Sequence, residues 1–273
     1  MNYTQKLNKL YTVLIFIFLY APIAVLILFS FNDSNSTGVF TGFSLKWYRE
    51  LLSDGATLTA LKNTLILAVA SSLIATVIGT AAAVGINKMK NKYVVGSITT
   101  VTNIPMMNPD IVTGIAMMLL FVFVGAAVNM KLSFWTVLIA HITFNLPYVI
   151  LNVLPKLRSM DRHLPEAALD LGCTPLQSFF KVELPAIMPG VISGLIMAFT
   201  LSLDDFVISY FTAGTGFETL PIRIYSMTKK RVTPDMYALS TFIFLAILAL
   251  LLLSNFIGER DLAKANKKKG AKK

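Results

Sequence analysis

Three carboxylates stand where the surrounding chain is apolar: Asp110, Asp204 and Asp205. An acid at the middle of a bilayer costs about 2.5–3.5 kcal/mol on insertion scales, so such residues usually line pathways or meet a partner. The chemistry they offer is recognition of a cation, with no bond made or broken. Nothing else in the sequence adds catalysis. It contains no Gly-x-x-x-x-Gly-Lys phosphate loop, His-Glu-x-x-His, Gly-x-Ser-x-Gly or Cys-x-x-Cys. Gly214-Thr215-Gly216 is not a phosphate loop, because no Lys-Ser/Thr follows it. Cys173 is the single cysteine and has no intrachain disulfide partner. No catalytic residue and no metal site is assigned.

The acids differ in setting. Asp204 and Asp205 fall within an apolar run, Leu201-Ser202-Leu203-Asp204-Asp205-Phe206. Asp204 lies about 21 Å along a helix counted from Gly190, in the outer part of its span. Helical neighbours point about 100° apart. One acid therefore lines the path, while the other bonds to a neighbouring helix or faces a partner chain. Asp110 closes the interruption Pro105-Met106-Met107-Asn108-Pro109-Asp110, where Asn108 is the expected cap of a new helix, with Pro109 at N1. Helices break at membrane depth where backbone lines a cavity or is buried in protein. Asp110 also complements its own helix N-terminus, and the two roles are compatible. Trp47 sits in a short outer helix capped by Ser44, with Leu45, Tyr48, Leu51 and Leu52 on one side. It reads equally as an interfacial anchor or as a substrate contact. His141 is expected to be structural, hydrogen-bonded with Asn145 and Asn152.

These residues need a membrane scaffold. With 55% hydrophobic residues among 273, the chain has six segments that reach the length of a bilayer span: about residues 10–31, 63–86, 94–124, 133–155, 188–210 and 237–257. The first is too long for a signal-peptide core and has no cleavage site after it, so it reads as an uncleaved span. No room remains for a soluble domain, and the whole chain, 1–273, reads as one transmembrane domain. Placing both termini inside puts two-thirds of the Lys and Arg residues in the cytoplasm, as the positive-inside rule favours, though Lys229-Lys230-Arg231 then falls outside. The net charge of +10 does not point to nucleic acid, because no basic stripe alternates with aromatics. The Lys-rich tail, 258–273, reads as a topology signal near anionic lipid. Ala, Ser, Gly and Thr fill the second span, which predicts close helix packing at the centre of the bundle or against a partner.

The longest polar interval assigned to the cytoplasm is the loop 156–187, and within it Glu166–Pro185 reads as two short helices at an angle. Pro165 and Glu166 suit a helix start, Gly172 a left-handed cap, and Thr174-Pro175 the N-cap and N1 of a second helix that Pro185 ends. Such a knob is too small to hold its own core and must dock elsewhere.

The order Glu166-Ala167-Ala168, Gly172, Val182, Leu184-Pro185 resembles the cytoplasmic signature of ABC-importer permeases, with Val182 where isoleucine is commoner. That resemblance implies an all-α, six-span type I importer permease in a bacterial inner membrane, whose knob is a coupling helix seated on an ATPase subunit. Phe29-Ser30-Phe31-Asn32-Asp33-Ser34, Gly42–Tyr48 and Leu203–Phe206 narrow the likeness to the second permease subunit of spermidine/putrescine importers. The resemblance covers nearly the whole chain. It implies a heterodimer with a related permease, an ATPase dimer that handles ATP and Mg, and an external polyamine-binding protein. This chain would hold no cofactor. The acids suit a cationic amine, and Trp47 could add a cation–π contact. A permease for another small solute and a stand-alone cation carrier are the alternatives; a carrier would have no use for the knob.

Overall fold

The computed structural model describes residues 3–34, 39–161, 163–230 and 235–249. Among them the regular elements are helices, with one isolated antiparallel bridge between Asn32 and Phe43. In chain order they are α1 (Tyr3–Ser30), α2 (Lys46–Ser53), α3 (Gly55–Lys88), α4 (Lys92–Met107), α5 (Asp110–Val128), α6 (Phe134–Ser159), α7 (His163–Asp170) and α8 (Pro175–Ser178). A π-helical turn, Phe179–Glu183, leads into α9 (Leu184–Asp204), followed by α10 (Val207–Thr212) and α11 (Leu220–Lys230). The last, α12, covers Asp235–Ala249. The rest of the sixth expected span, the Lys-rich tail and Arg231 lie outside the described residues.

The chain divides into two compact units, Met1–Thr59 with Arg223–Lys273, and Ala60–Ile222. In the first unit, Trp47 is 6% exposed and its indole N–H donates to the Asn32 carbonyl at 2.6 Å. Asn32 is itself held, donating to the Val39 carbonyl and accepting from the Thr41 N–H. This bond turns the face of α2: Trp47 and Leu51 are buried, whereas Leu45 and Leu52 are exposed, contrary to the face expected from spacing. Ser44 still accepts the Lys46 N–H, but Leu45 occupies the cap position. At the start of α3, Asp54 accepts the Ala56 N–H, the Thr57 hydroxyl and Arg223 Nη2.

The second unit holds the membrane core. Most of the apolar stretch of α6 is buried, more than in α3 or α9. Hydrophobicity cannot drive helices together in lipid, so close packing must, and small residues permit it. A Cβ on Gly79 would stand 2.7 Å from the Val149 side chain, and one on Gly190 would stand 2.8 Å from the Asn152 carbonyl. The second span is thus pressed against α6 through its glycine, with Ala75, Ala83, Val149, Val153, Ile187 and Ala198 closing the seam.

Candidate functional site

The membrane acids stand at two helix breaks. The first lies between α4 and α5, as the Asn-Pro-Asp sequence predicts, but Asn108 does not cap. It stays extended, Pro109 takes the N-cap position and no side chain bonds there. Asp110 opens the first turn of α5 and is exposed.

The second break was not anticipated. The fifth span is not one continuous helix, because α9 ends at Asp204 and α10 starts at Val207. The cause is the carboxylate of Asp205, which accepts the Ile208 N–H at 3.2 Å and the Ser209 N–H at 2.8 Å. These donors belong to the first turn of a restarted helix, and an acid there also complements the helix dipole. The two breaks adjoin: a Cβ on Gly114, one turn into α5, would meet Phe211, the Val207 carbonyl and Ile208 of α10.

Asp204 and Asp205 accordingly separate in role. Asp204, the last residue of α9, is exposed. The Asp205 side chain is 8% exposed and faces His141 Nε2 at 3.3 Å. His141, fully buried, hydrogen-bonds Ser202 through Nδ1 at 2.6 Å and Ser209 through Nε2 at 3.0 Å. Ser202 in turn meets Ser71 at 2.9 Å. An ionised carboxylate only accepts, so the ring nitrogen facing it carries the proton. The expected company of His141 is therefore corrected. Asn145 is buried with neither amide atom hydrogen-bonded among the described residues, and Asn152 bonds its own helix at the Tyr148 carbonyl.

The polar knob is built from local bonds. Gly172 has φ +86°, its N–H reaches the Leu169 carbonyl, and the Cys173 N–H reaches that of Ala168. That pair of bonds is a Schellman closure, which needs the left-handed residue that glycine supplies. Thr174 and Gln177 cap α8 reciprocally. Helix α7 starts at His163 rather than at Pro165. Pro185 does not stop the second helix, which continues through the π turn into α9. The Leu184 N–H bonds back five residues to the Phe179 carbonyl. Pro185, with no N–H, falls where the ladder changes register and forfeits little.

Glu166 is exposed, 3.3 Å from His163. Ala168 packs inward, while Leu171, Leu176 and Phe180 are exposed. Sequence reasoning missed Glu183, which is buried and paired with Lys88 at the end of α3 at 3.5 Å. An acid one residue before Leu184-Pro185 was the available signal.

Residues 75–260 match the family described as the binding-protein-dependent transport system inner membrane component. The chain belongs to this family. It is a multi-pass membrane permease component, not an enzyme. The putrescine transport system permease protein PotI of Escherichia coli (strain K12) is 40% identical over 234 residues, 85% of this chain and 83% of that protein. The spermidine/putrescine transport system permease protein PotC of the same strain is 39% identical over 255 residues, 92% of this chain and 93% of that protein. Among solved structures, a bacterial ABC transporter involved in the import of the acidic polysaccharide alginate superposes with TM-score 0.70 at 18% identity, over 94% of this chain and 96% of that one. The type I importer permease fold is therefore shared with a transporter of a polyanion, and the fold leaves the charge of the cargo open.

Proposed function

We propose that this permease carries spermidine or putrescine, with Asp204 as the group that meets the amine. The observation that carries the reading is an exposed acid at a helix break, beside a second break that bears Asp110. It is supported by about two-fifths identity to permeases named for putrescine and spermidine. A polyamine entering a water-poor passage loses hydration, which fixed negative charge offsets by about 4 kcal/mol per close pair at an effective dielectric near 20. Asp205 already spends its charge on two N–H groups and on His141, so it supports the break. Trp47 is buried with its N–H satisfied and drops out of the pathway in this reading.

The assembly in this reading is a heterodimer with a related permease in a bacterial inner membrane, both termini cytoplasmic. An ATPase dimer binds ATP and Mg, and an external binding protein delivers the polyamine. The knob Glu166–Pro185 seats on the ATPase through Leu171, Leu176 and Phe180, which leave apolar surface uncovered. The deciding experiment is uptake of radiolabelled spermidine and putrescine by assembled complexes carrying Asp204→Asn. Uptake is expected to fall at least about tenfold, equivalent to ~1.4 kcal/mol, with basal ATP hydrolysis retained. Wild-type uptake of both amines would overturn the cationic-cargo reading.

A further inference from the structure

We propose that His141 is a positioning residue for transport: acting through Asp205, it fixes the break in the fifth span and so aims Asp204 into the passage. The inference rests on the reading of Asp204 just given and adds the part of the molecule that makes Asp204 available.

The geometry is specific. The fifth span breaks where the Asp205 carboxylate takes the Ile208 and Ser209 N–H groups. Without that carboxylate, the apolar run through Phe206, Val207 and Ile208 favours one continuous helix, and Asp204 would lie mid-helix rather than at an end. A carboxylate buried in a membrane bundle must have its oxygens met by donors, because an unpaired buried charge is costly. His141 supplies a third on Oδ2 at 3.3 Å.

The imidazole is itself fixed at both nitrogens, by Ser202 one turn before the break and by Ser209 just after it. One ring therefore bridges the end of α9 and the start of α10. Ser71 extends the network to α3 through Ser202. Two other helices, α3 and α6, thus hold the angle of one break, while the side chain of Asp204 takes no part. His141 contacts the acid that shapes the site, and Asp204 is the acid that the amine meets.

The test is uptake of radiolabelled spermidine per assembled complex in a double-mutant cycle of His141→Ala and Asp204→Asn. Alone, His141→Ala is expected to lower uptake about fivefold, and His141→Gln, which keeps a donor toward Asp205, to recover most of it. In the Asp204→Asn background the same change should cost less than about twofold, because the acid being aimed is gone. Equal fold losses in both backgrounds, or wild-type uptake by His141→Ala, would overturn the positioning role. If His141→Ala does not assemble, Ser202→Ala removes the Nδ1 partner together with its link to Ser71 and leaves the donors on Asp205 in place. Its expected loss of about twofold should vanish beside Asp204→Asn; a persisting loss, or none at all, counts against the proposal. Wild-type uptake by Asp204→Asn itself would strike the amine-binding reading instead, so the two failures are distinguishable.

Discussion

The knob and the acid break lie at opposite ends of one helical run, and they satisfy their polar groups in opposite ways. At the knob, the capping bonds are local, Thr174 with Gln177, Gly172 with Leu169 and Cys173 with Ala168, and Glu183 adds a tie to Lys88 of α3. Its apolar side chains, Leu171, Leu176 and Phe180, are left outside. At the break, apolar residues surround a polar centre drawn from α3, α6, α9 and α10. A locally closed unit keeps its shape wherever it docks, and its exposed surface is free for a partner. A unit closed by distant segments keeps its shape only while those segments stay packed. The first suits a part that is pushed; the second suits a part that responds.

The sharpest way to break this comparison is at the knob. Gly172→Val has space for the side chain, since a Cβ there meets nothing within 4 Å, but the backbone conformation costs about 1–2 kcal/mol. Uptake should fall to background while the complex still assembles, as it should for Glu166→Lys. Normal binding-protein-stimulated ATP hydrolysis in either purified complex would show that the knob does not couple. A smaller effect is expected in the membrane seam. Gly190→Leu drives a side chain into the Asn152 carbonyl and Lys156, a cost of about 1–3 kcal/mol, and should lower the yield and melting temperature of the complex. An unchanged melting temperature would place slack where the packing has none. Asp110→Asn should reduce uptake only about threefold, because Asp110 also serves its own helix start; a loss matching that of Asp204→Asn would make the two acids equal partners.

What could be read from the chain follows the same division. Gly172, Thr174 and Asn108-Pro109-Asp110 act within a few residues, so their chemistry announces the cap and the break. His141 was assigned Asn145 and Asn152 because they are near in sequence, whereas its partners Ser202 and Ser209 lie 61 and 68 residues away. The break at Asp205 was hidden by the apolar run that follows it. Pro185 looked like a terminator because nothing in the sequence reveals a π turn. Trp47 looked available because the Asn32 carbonyl that claims it stands fifteen residues earlier, at the far end of the α1–α2 connection.

The smallest expected effect concerns the corner at Asp54, between α2 and α3. The Thr57 hydroxyl, with the Ala56 N–H and Arg223, holds its carboxyl below the ordinary value of 3.8, while burial opposes them. A depressed pKa stabilises the fold above the unfolded value and loses that contribution as pH falls through the folded one. The melting difference between wild type and Asp54→Asn should therefore be constant from neutral pH down to about 5 and close below about 4. A difference that widens on acidification would reverse the sign and the assignment.

The π turn has a mechanical consequence. By carrying the helix past Pro185, it makes Pro175–Asp204 a single run of 30 residues, a helical path of about 45 Å at ~1.5 Å per residue. One end is the knob and the other is the residue that ends α9. A tilt of only ~5° about the knob would displace the far end by about 4 Å over that length, comparable to the width of an alkyl chain. In the coupling proposed above, a lever arm of this length would carry a push without a relay of side chains.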